Sequence, residues 1–316
     1  MYDYIIIIIM KNLRRVFLCV PTFKEPSKVL AFLQALNYIK YRPITVLIAN
    51  ASPGDQSESI IYEKSKLVDY DLRQVDGISS EYWSGTINRA LKVALQESND
   101  DDLLVIMNID IQFESDVINQ LINNIDILGC SQVAAICHNN GRVISSGVIV
   151  RSWFAGINRH PMAGYYLSDI PSNYSIEVNF LPTRCLMVPI SEVKRNGIML
   201  DKSLPHYGAD YEFTRRLALN GCPAYLLGNV IVECDISNTG ASVFDRVDTI
   251  FQRLNSCTSI KNPSNLRYRL RFINCTYPWW ARPTAMSSYV IRTFLEVIFG
   301  GVILRRLFPG KERGFS

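Results

Sequence analysis

From Val16 to Ile125 the chain switches repeatedly between two hydrophobic periods. Four short apolar runs, Val16 to Pro21, Ile44 to Ile48, Leu72 to Val75 and Leu103 to Met107, have the length and β-branched content of strands. Between them apolar residues recur at helical spacing: Val29, Leu30, Leu33 and Leu36, then Ile87, Leu91, Ala94 and Leu95, then Val117, Ile118, Leu121, Ile122 and Ile125. Pro26-Ser27 suits the start of the first helix, the second runs from about Ser84 to Glu97, and Ser115 is placed to cap the third. Asn50 to Asp55, NASPGD, is a turn cluster, and Asp55 with Glu58 has capping-box spacing. Strands alternating with helices predict an α/β fold with a mostly parallel central sheet flanked by helices.

Within that pattern, Leu103 to Asp110 (LLVIMNID) carries an Asn-x-Asp pair out of a buried strand. Open α/β sheets bind ligands at the C-terminal ends of their strands, so Asp110 is the first candidate for chemistry, with a plain turn residue as the alternative. A second acid, Asp210, opens the helical stretch Asp210 to Asn220. The helix dipole alone favours an acid there and lowers its pKa, so a base near neutrality requires partial burial or help from its substrate. Glu212 stands about 200° around the axis from Asp210, so the two carboxylates do not share a partner. Arg216 is placed to orient Asp210, to bind an acceptor phosphate or to form a surface ion pair.

These residues resemble those of the inverting glycosyltransferases of family 2, in the subgroup that includes bacterial rhamnosyltransferase-like enzymes of surface polysaccharide assembly. The resemblance covers Arg15 to Ser242. Pro21-Thr22-Phe23-Lys24-Glu25 is similar to the family's opening loop, Ala49-Asn50-Ala51-Ser52 to its second-strand turn, and Asn88-Arg89-Ala90 to an Asn-Arg-Gly-like step. Met107-Asn108-Ile109-Asp110 matches the segment that holds the metal in relatives. Further on, Gly141 to Gly147 resembles a D-G-x-I-x-x-x-G hairpin, Thr183 to Pro189 a G-A-C-L-L-I-R strand, Gly197 to Asp201 a G-G-F-D step, and Tyr207 to Arg216 a Y-G-E-D-x-D-L-C-x-R helix start. Each motif is weak alone; their order and separations carry the resemblance.

The resemblance implies a GT-A fold, a nucleoside-diphosphate-sugar donor and a divalent metal, Mg or Mn. It implies Thr22, Phe23, Glu25, Asn50, Asn88, Arg89 and Asn108 as nucleotide-sugar-binding residues, Asp110 as the metal ligand and Asp210 as the catalytic base. His206, Glu212 and Arg216 are acceptor-side or supporting candidates. Two departures stand out: Ala209 replaces the family's common Glu before the base, and Val230 to Asp235 lacks its late His. Asp235 or Cys234 can substitute as a metal contact, Cys being the poorer partner for Mg or Mn.

Composition excludes several classes. With 48% hydrophobic and 20% charged residues over 316, the chain has material for a core and is not disordered. Its eight cysteines are scattered without a C-x-x-C pair, which reads as free thiols of a reducing compartment, and its three histidines lack metal-ligand spacing. No internal repeat and no G-x-G-x-x-G fingerprint occurs. Tyr4 to Met10, YIIIIIM, is too short to span a bilayer and is expected to belong to an extension or a loose edge strand.

The net charge of +4 is unevenly placed: Thr249 to Ser316 holds eleven Lys or Arg against two acids. The same segment carries Tyr268, Tyr277, Trp279, Trp280 and Tyr289, and an apolar run from Val297 to Leu304. A basic, aromatic extension suits an anionic membrane surface or a lipid pyrophosphate; nucleic acid is the lesser reading, and packing on the catalytic domain is the alternative. The expected organisation is an N-terminal extension (1–10), a nucleotide-sugar-binding half (11–115), an acceptor-binding half (116–248) and a helical basic C-terminal extension (249–316). The expected protein is a cytoplasmic enzyme, peripheral on the inner membrane face, moving a sugar to a glycan or lipid-linked oligosaccharide. A sugar-phosphate nucleotidyltransferase would need a Gly-rich basic loop after the first strand, which VPTFKEP is not; a noncatalytic glycan-binding protein on a degenerate transferase fold is the other competitor.

Overall fold

The protein is described by a computed structural model over residues 14–235, 249–260, 262 and 265–307, with side chains as far as Phe299. Tyr4 to Met10 lies outside the described residues. β1 (Val16–Thr22), β2 (Ile44–Asn50) and the strand Leu103–Met107 are buried at every position. Covered on both faces, they have no solvent side, which is why their sequences are continuous apolar runs. β3 (Asp71–Asp76), at the sheet edge, buries only Leu72. The strand Leu103–Met107 is β4, followed by β5 (Ile111–Phe113).

Helices α1 (Pro26–Leu36), α2 (Gln56–Ser65), α3 (Tyr82–Glu97) and α4 (Val117–Leu128) connect these strands. Pro26 occupies the first turn of α1, where its missing N–H costs nothing. Asp55 caps α2 by accepting the Ser57 N–H, while Glu58 reaches Gly54 N–H at 2.8 Å, one residue ahead of the expected capping-box partner. Ser115 does not cap α4. Asp116 takes the cap position without a side-chain bond, and the Ser115 carbonyl accepts Lys40 N–H at 3.2 Å.

The second half adds β6 (Gln132–Asn139), β7 (Arg142–Ser145), β8 (Ile149–Ser152), β9 (Ile157–Arg159), β10 (Ser175–Val178), β11 (Cys185–Pro189) and β12 (Ala224–Cys234). One sheet runs β10-β12-β6-β11-β4-β1-β2-β3, with β5 on β12 and β7 on β6; β8 and β9 form a separate pair. β11 is antiparallel to both neighbours, β4 and β6, and β12 is parallel to β6. β1, β2, β3, β4, β6 and β12 therefore point the same way, and their C-terminal ends share one edge. Alternate residues feed two core layers, Phe17 and Cys19 on one face, Val16, Leu18 and Val20 on the other.

Helices α5 (Ile190–Arg195) and α6 (Ala209–Leu219) follow β11, and α7 (Ile250–Ser256), α8 (Leu266–Thr276) and α9 (Arg282–Leu307) form the C-terminal extension. The extension joins the core. Phe272 packs on Phe180 with ring centroids 5.5 Å apart, Tyr277 meets Trp153 at 4.9 Å, and Ser288 Oγ donates to the Ala155 carbonyl at 3.2 Å. Gly208, which caps α6 at φ 85°, lies so close that a Cβ there would be 3.3 Å from the Phe272 ring. No helix among the described residues is long and apolar enough to cross a membrane.

Candidate active site

The shared edge gathers residues from distant parts of the chain. Thr22 ends β1 and pairs with Asn50 at the end of β2; Asn108 and Asp110 follow β4; Asp235 follows β12. Because β11 runs the other way, it delivers its N-terminal end, Thr183-Arg184, to the same edge. Two main-chain bonds lock these ends together, Asn108 N–H to the Arg184 carbonyl at 3.2 Å and Asp235 N–H to the Asp110 carbonyl at 3.1 Å.

Three ionisable groups meet there. Asp110, Arg184 and Asp210 each keep some accessible surface while being densely surrounded by protein, as groups lining a concave cleft do. Asp210 sits in the first turn of α6, and burial pushes its carboxyl up to about 6 against the lowering influence of the Tyr211 N–H and Arg184. Burial also raises Asp110, opposed by Arg184 and Lys28. Lys28 is engaged: its ammonium lies 2.9 Å from Glu25 and 3.7 Å from Asp235. Two buried oxygens at this edge, Thr22 Oγ1 and Asn108 Oδ1, have no hydrogen-bond partner among the described residues. Buried polar atoms are normally satisfied, which makes both candidates for a ligand contact.

The other expected residues divide. Phe23 is about half exposed beside this edge with Lys24 over its ring at 5.4 Å, and Glu25 stands at the α1 start. Asn50 is fully buried, and its amide is spent on the loop: Oδ1 accepts Ser52 N–H at 2.9 Å and Nδ2 donates to Asp55 at 3.3 Å. Asn88 faces Leu200, donating to its carbonyl and accepting its N–H, each at 2.9 Å. Arg89 lies farther along, clamped on Glu81 at 2.6 and 3.1 Å near the end of β3. Glu212 is buried in a two-pronged pair with Arg216, whose guanidinium also donates to the Met199 carbonyl. That pair closes on itself, so Arg216 does not orient Asp210. His206 is exposed, edge-on to Tyr207 at 4.8 Å.

Sequence reasoning missed Arg184 and Lys28. Arg184 had a signal: a charged residue stands where the resembling G-A-C strand has Ala, directly before an apolar run. Lys28 had none, since an exposed-face lysine on a helix is ordinary. Of the cysteines, Cys19, Cys137, Cys185, Cys222 and Cys234 are buried and none is in a disulfide.

A divalent ion is testable against this geometry. No three His, Cys, Asp or Glu side chains converge into a metal cage among the described residues. An ion completed by diphosphate oxygens and water needs fewer protein ligands, and the Asp110 carboxylate with the unpartnered Asn108 Oδ1 supplies hard oxygen donors of that kind.

No family model and no curated protein matches the chain. Solved structures do. S. aureus TarS (residues 1–349) with UDP matches at 13% identity and TM-score 0.54, over 89% of this chain and 72% of that one. The same protein with UDP-GlcNAc gives 14% and 0.52, over 90% and 81%. A mannosyltransferase from Pyrobaculum calidifontis with GDP-Man and Mn2+ gives 15% and 0.53, over 94% and 82%. The fold is similar to the fold of these glycosyltransferase structures. In that fold's terms, the edge carrying Asp110, Arg184 and Asp210 is where β1, β2 and β4 end.

Proposed function

We propose that the protein is an inverting glycosyltransferase that moves a sugar from a nucleoside diphosphate donor to a hydroxyl of a glycan acceptor. The observation that carries this reading is the placement of Asp210 in the first turn of α6, near enough to Arg184 to share its charge with Asp110, where burial pushes the carboxyl up to about 6. A base of that pKa is largely ionised at neutral pH and still accepts a proton, as removal of an acceptor hydroxyl proton requires. Thr22 Oγ1 and Asn108 Oδ1 are free to bind the donor, and Asn50, through Ser52 and Asp55, holds the loop over it. Asp110 and Asn108 would hold a divalent ion, which when bound supplies positive charge to the diphosphate. The Glu212–Arg216 pair and Asn88 keep the acceptor-side segments in place without touching the reacting atoms. The donors bound by the structural neighbours, UDP-GlcNAc and GDP-Man, are the first to try.

The test is a thermal-shift screen of nucleotide sugars with and without Mn, followed by product analysis at the anomeric carbon. A true donor at 100 times its Kd adds about 2.7 kcal/mol of stability. Failure of every nucleotide and nucleotide sugar to stabilise the protein would end the transferase reading.

The acceptor we infer is lipid-linked, with the enzyme docked on an anionic membrane face. Trp279, Ile291 and Phe294 of the C-terminal extension are each more than half exposed, and so are Phe251, Ile250 and Leu254 on α7, which packs against α9. An apolar surface of this kind on a basic segment supports interfacial adsorption.

A further inference from the structure

Arg184 is held where an anion is needed. Its backbone is tied to Asn108, two residues from Asp110, and its guanidinium acts on Asp110 and Asp210 together with Tyr207 and Tyr211. Yet it forms no ion pair within 4.0 Å among the described residues, and it lies against the Cys234 thiol, a weak acceptor. The two carboxylates are near enough to feel it and too far to touch it. An enclosed guanidinium with unfilled donors is costly unless something anionic completes it. Another cation at this edge, Lys28, is already shared by Glu25 and Asp235. A diphosphate entering between Asp110 and Asp210 meets two negative groups, and a fixed positive charge on the protein offsets them whether or not an ion is bound. The planar fork of an arginine matches phosphate oxygens in paired hydrogen bonds.

We propose that Arg184 binds the phosphate oxygens of the donor's nucleoside diphosphate and carries part of that leaving group's charge. This rests on the glycosyl-transfer reading. In the step, the bond between the sugar's anomeric carbon and the diphosphate oxygen breaks with its electron pair going to that oxygen beside Arg184. The acceptor oxygen forms the new bond to the anomeric carbon, and its proton passes to Asp210. Arg184 acts alongside any ion at Asp110, so diphosphate binding persists in part when metal is removed.

The experiment is calorimetric titration of the full chain, wild type, Arg184→Gln and Arg184→Lys, with the nucleoside, monophosphate and diphosphate of uridine and of guanosine, in EDTA and in Mn. Expected is a loss of affinity in Arg184→Gln that grows with phosphate count, at least tenfold for the diphosphate and absent for the nucleoside, with Arg184→Lys between the two. Equal losses for nucleoside and diphosphate, or an unchanged diphosphate affinity, would overturn the proposal and leave Arg184 a packing residue. If Arg184→Gln does not fold, Arg184→Lys decides: its diphosphate affinity must fall more than its nucleoside affinity. Binding of neither diphosphate by the wild-type chain in either medium would overturn the role of Arg184, and the transferase reading falls with it if no nucleotide sugar stabilises the protein either.

Discussion

A carboxylate in the first turn of a helix is ordinarily kept acidic by the dipole, and Asp210 departs from this because the cleft around it removes water. Its rate dependence follows directly. In the proposed role the base works ionised, so kcat/KM should rise with pH through about 6 and level off above, as a pH–rate profile will show. Asp210→Asn should abolish transfer while leaving diphosphate affinity within about twofold. The same substitution should stabilise the fold. A carboxyl whose folded pKa lies above its ordinary 3.8 subtracts stability as pH rises from there to about 6, and this loss is complete at neutral pH. Removing the ionisation should therefore raise stability at pH 8 by roughly 1–3 kcal/mol and change little at pH 3, measured by urea unfolding at both. Asp110→Ala should behave oppositely in binding: the Mn-dependent part of donor affinity disappears while the EDTA affinity remains.

At the level of elements, α3 is tied to the segment before α6 by the Ser84 N–H, which donates to the Pro205 carbonyl at 3.1 Å, and by the Asn88 side chain. Asn88 satisfies both main-chain groups of Leu200 from inside the core. Asn88→Ala leaves a buried N–H and a buried carbonyl unpaired, at a cost of about 2–4 kcal/mol. Denaturant unfolding should show that loss with the m-value preserved, and donor affinity should survive in the folded fraction. An unchanged midpoint would return Asn88 to the donor site that the Asn-Arg-Gly-like step suggests.

For the whole molecule, the extension has two faces with different work. Phe272, Ile273 and Tyr277 complete the core beside α6, so a truncation after Thr249 is expected to unfold the protein. Membrane docking is better examined with paired substitutions on the exposed side, Ile291→Asp with Phe294→Asp. Co-sedimentation with anionic liposomes at low salt should drop several-fold in this variant and fall with salt in the wild type, since each basic residue near the surface contributes about 1 kcal/mol that salt screens. Equal sedimentation of the two proteins would leave the extension as domain packing alone.

Local rules and chain order determined much of this protein. Continuous apolar runs can only be strands covered on both faces, so β1, β2 and β4 and the helices between them are legible in sequence, and parallel connections then require Thr22, Asn50 and Asp110 to share an edge. The place of Asp210 in the first turn of α6 is legible too, because it follows a recognisable helix start. What depends on contacts between distant segments was not. Nothing local says that β11 runs against its neighbours and carries Arg184 into the cleft, nor that Lys28 reaches Asp235, more than two hundred residues away. Asn50, Asn88 and Arg216 have the residue types of a binding site, yet partners supplied by the fold occupy their polar atoms. A side chain's chemistry is written in the sequence; whether its hydrogen bonds remain available for a ligand is decided by packing.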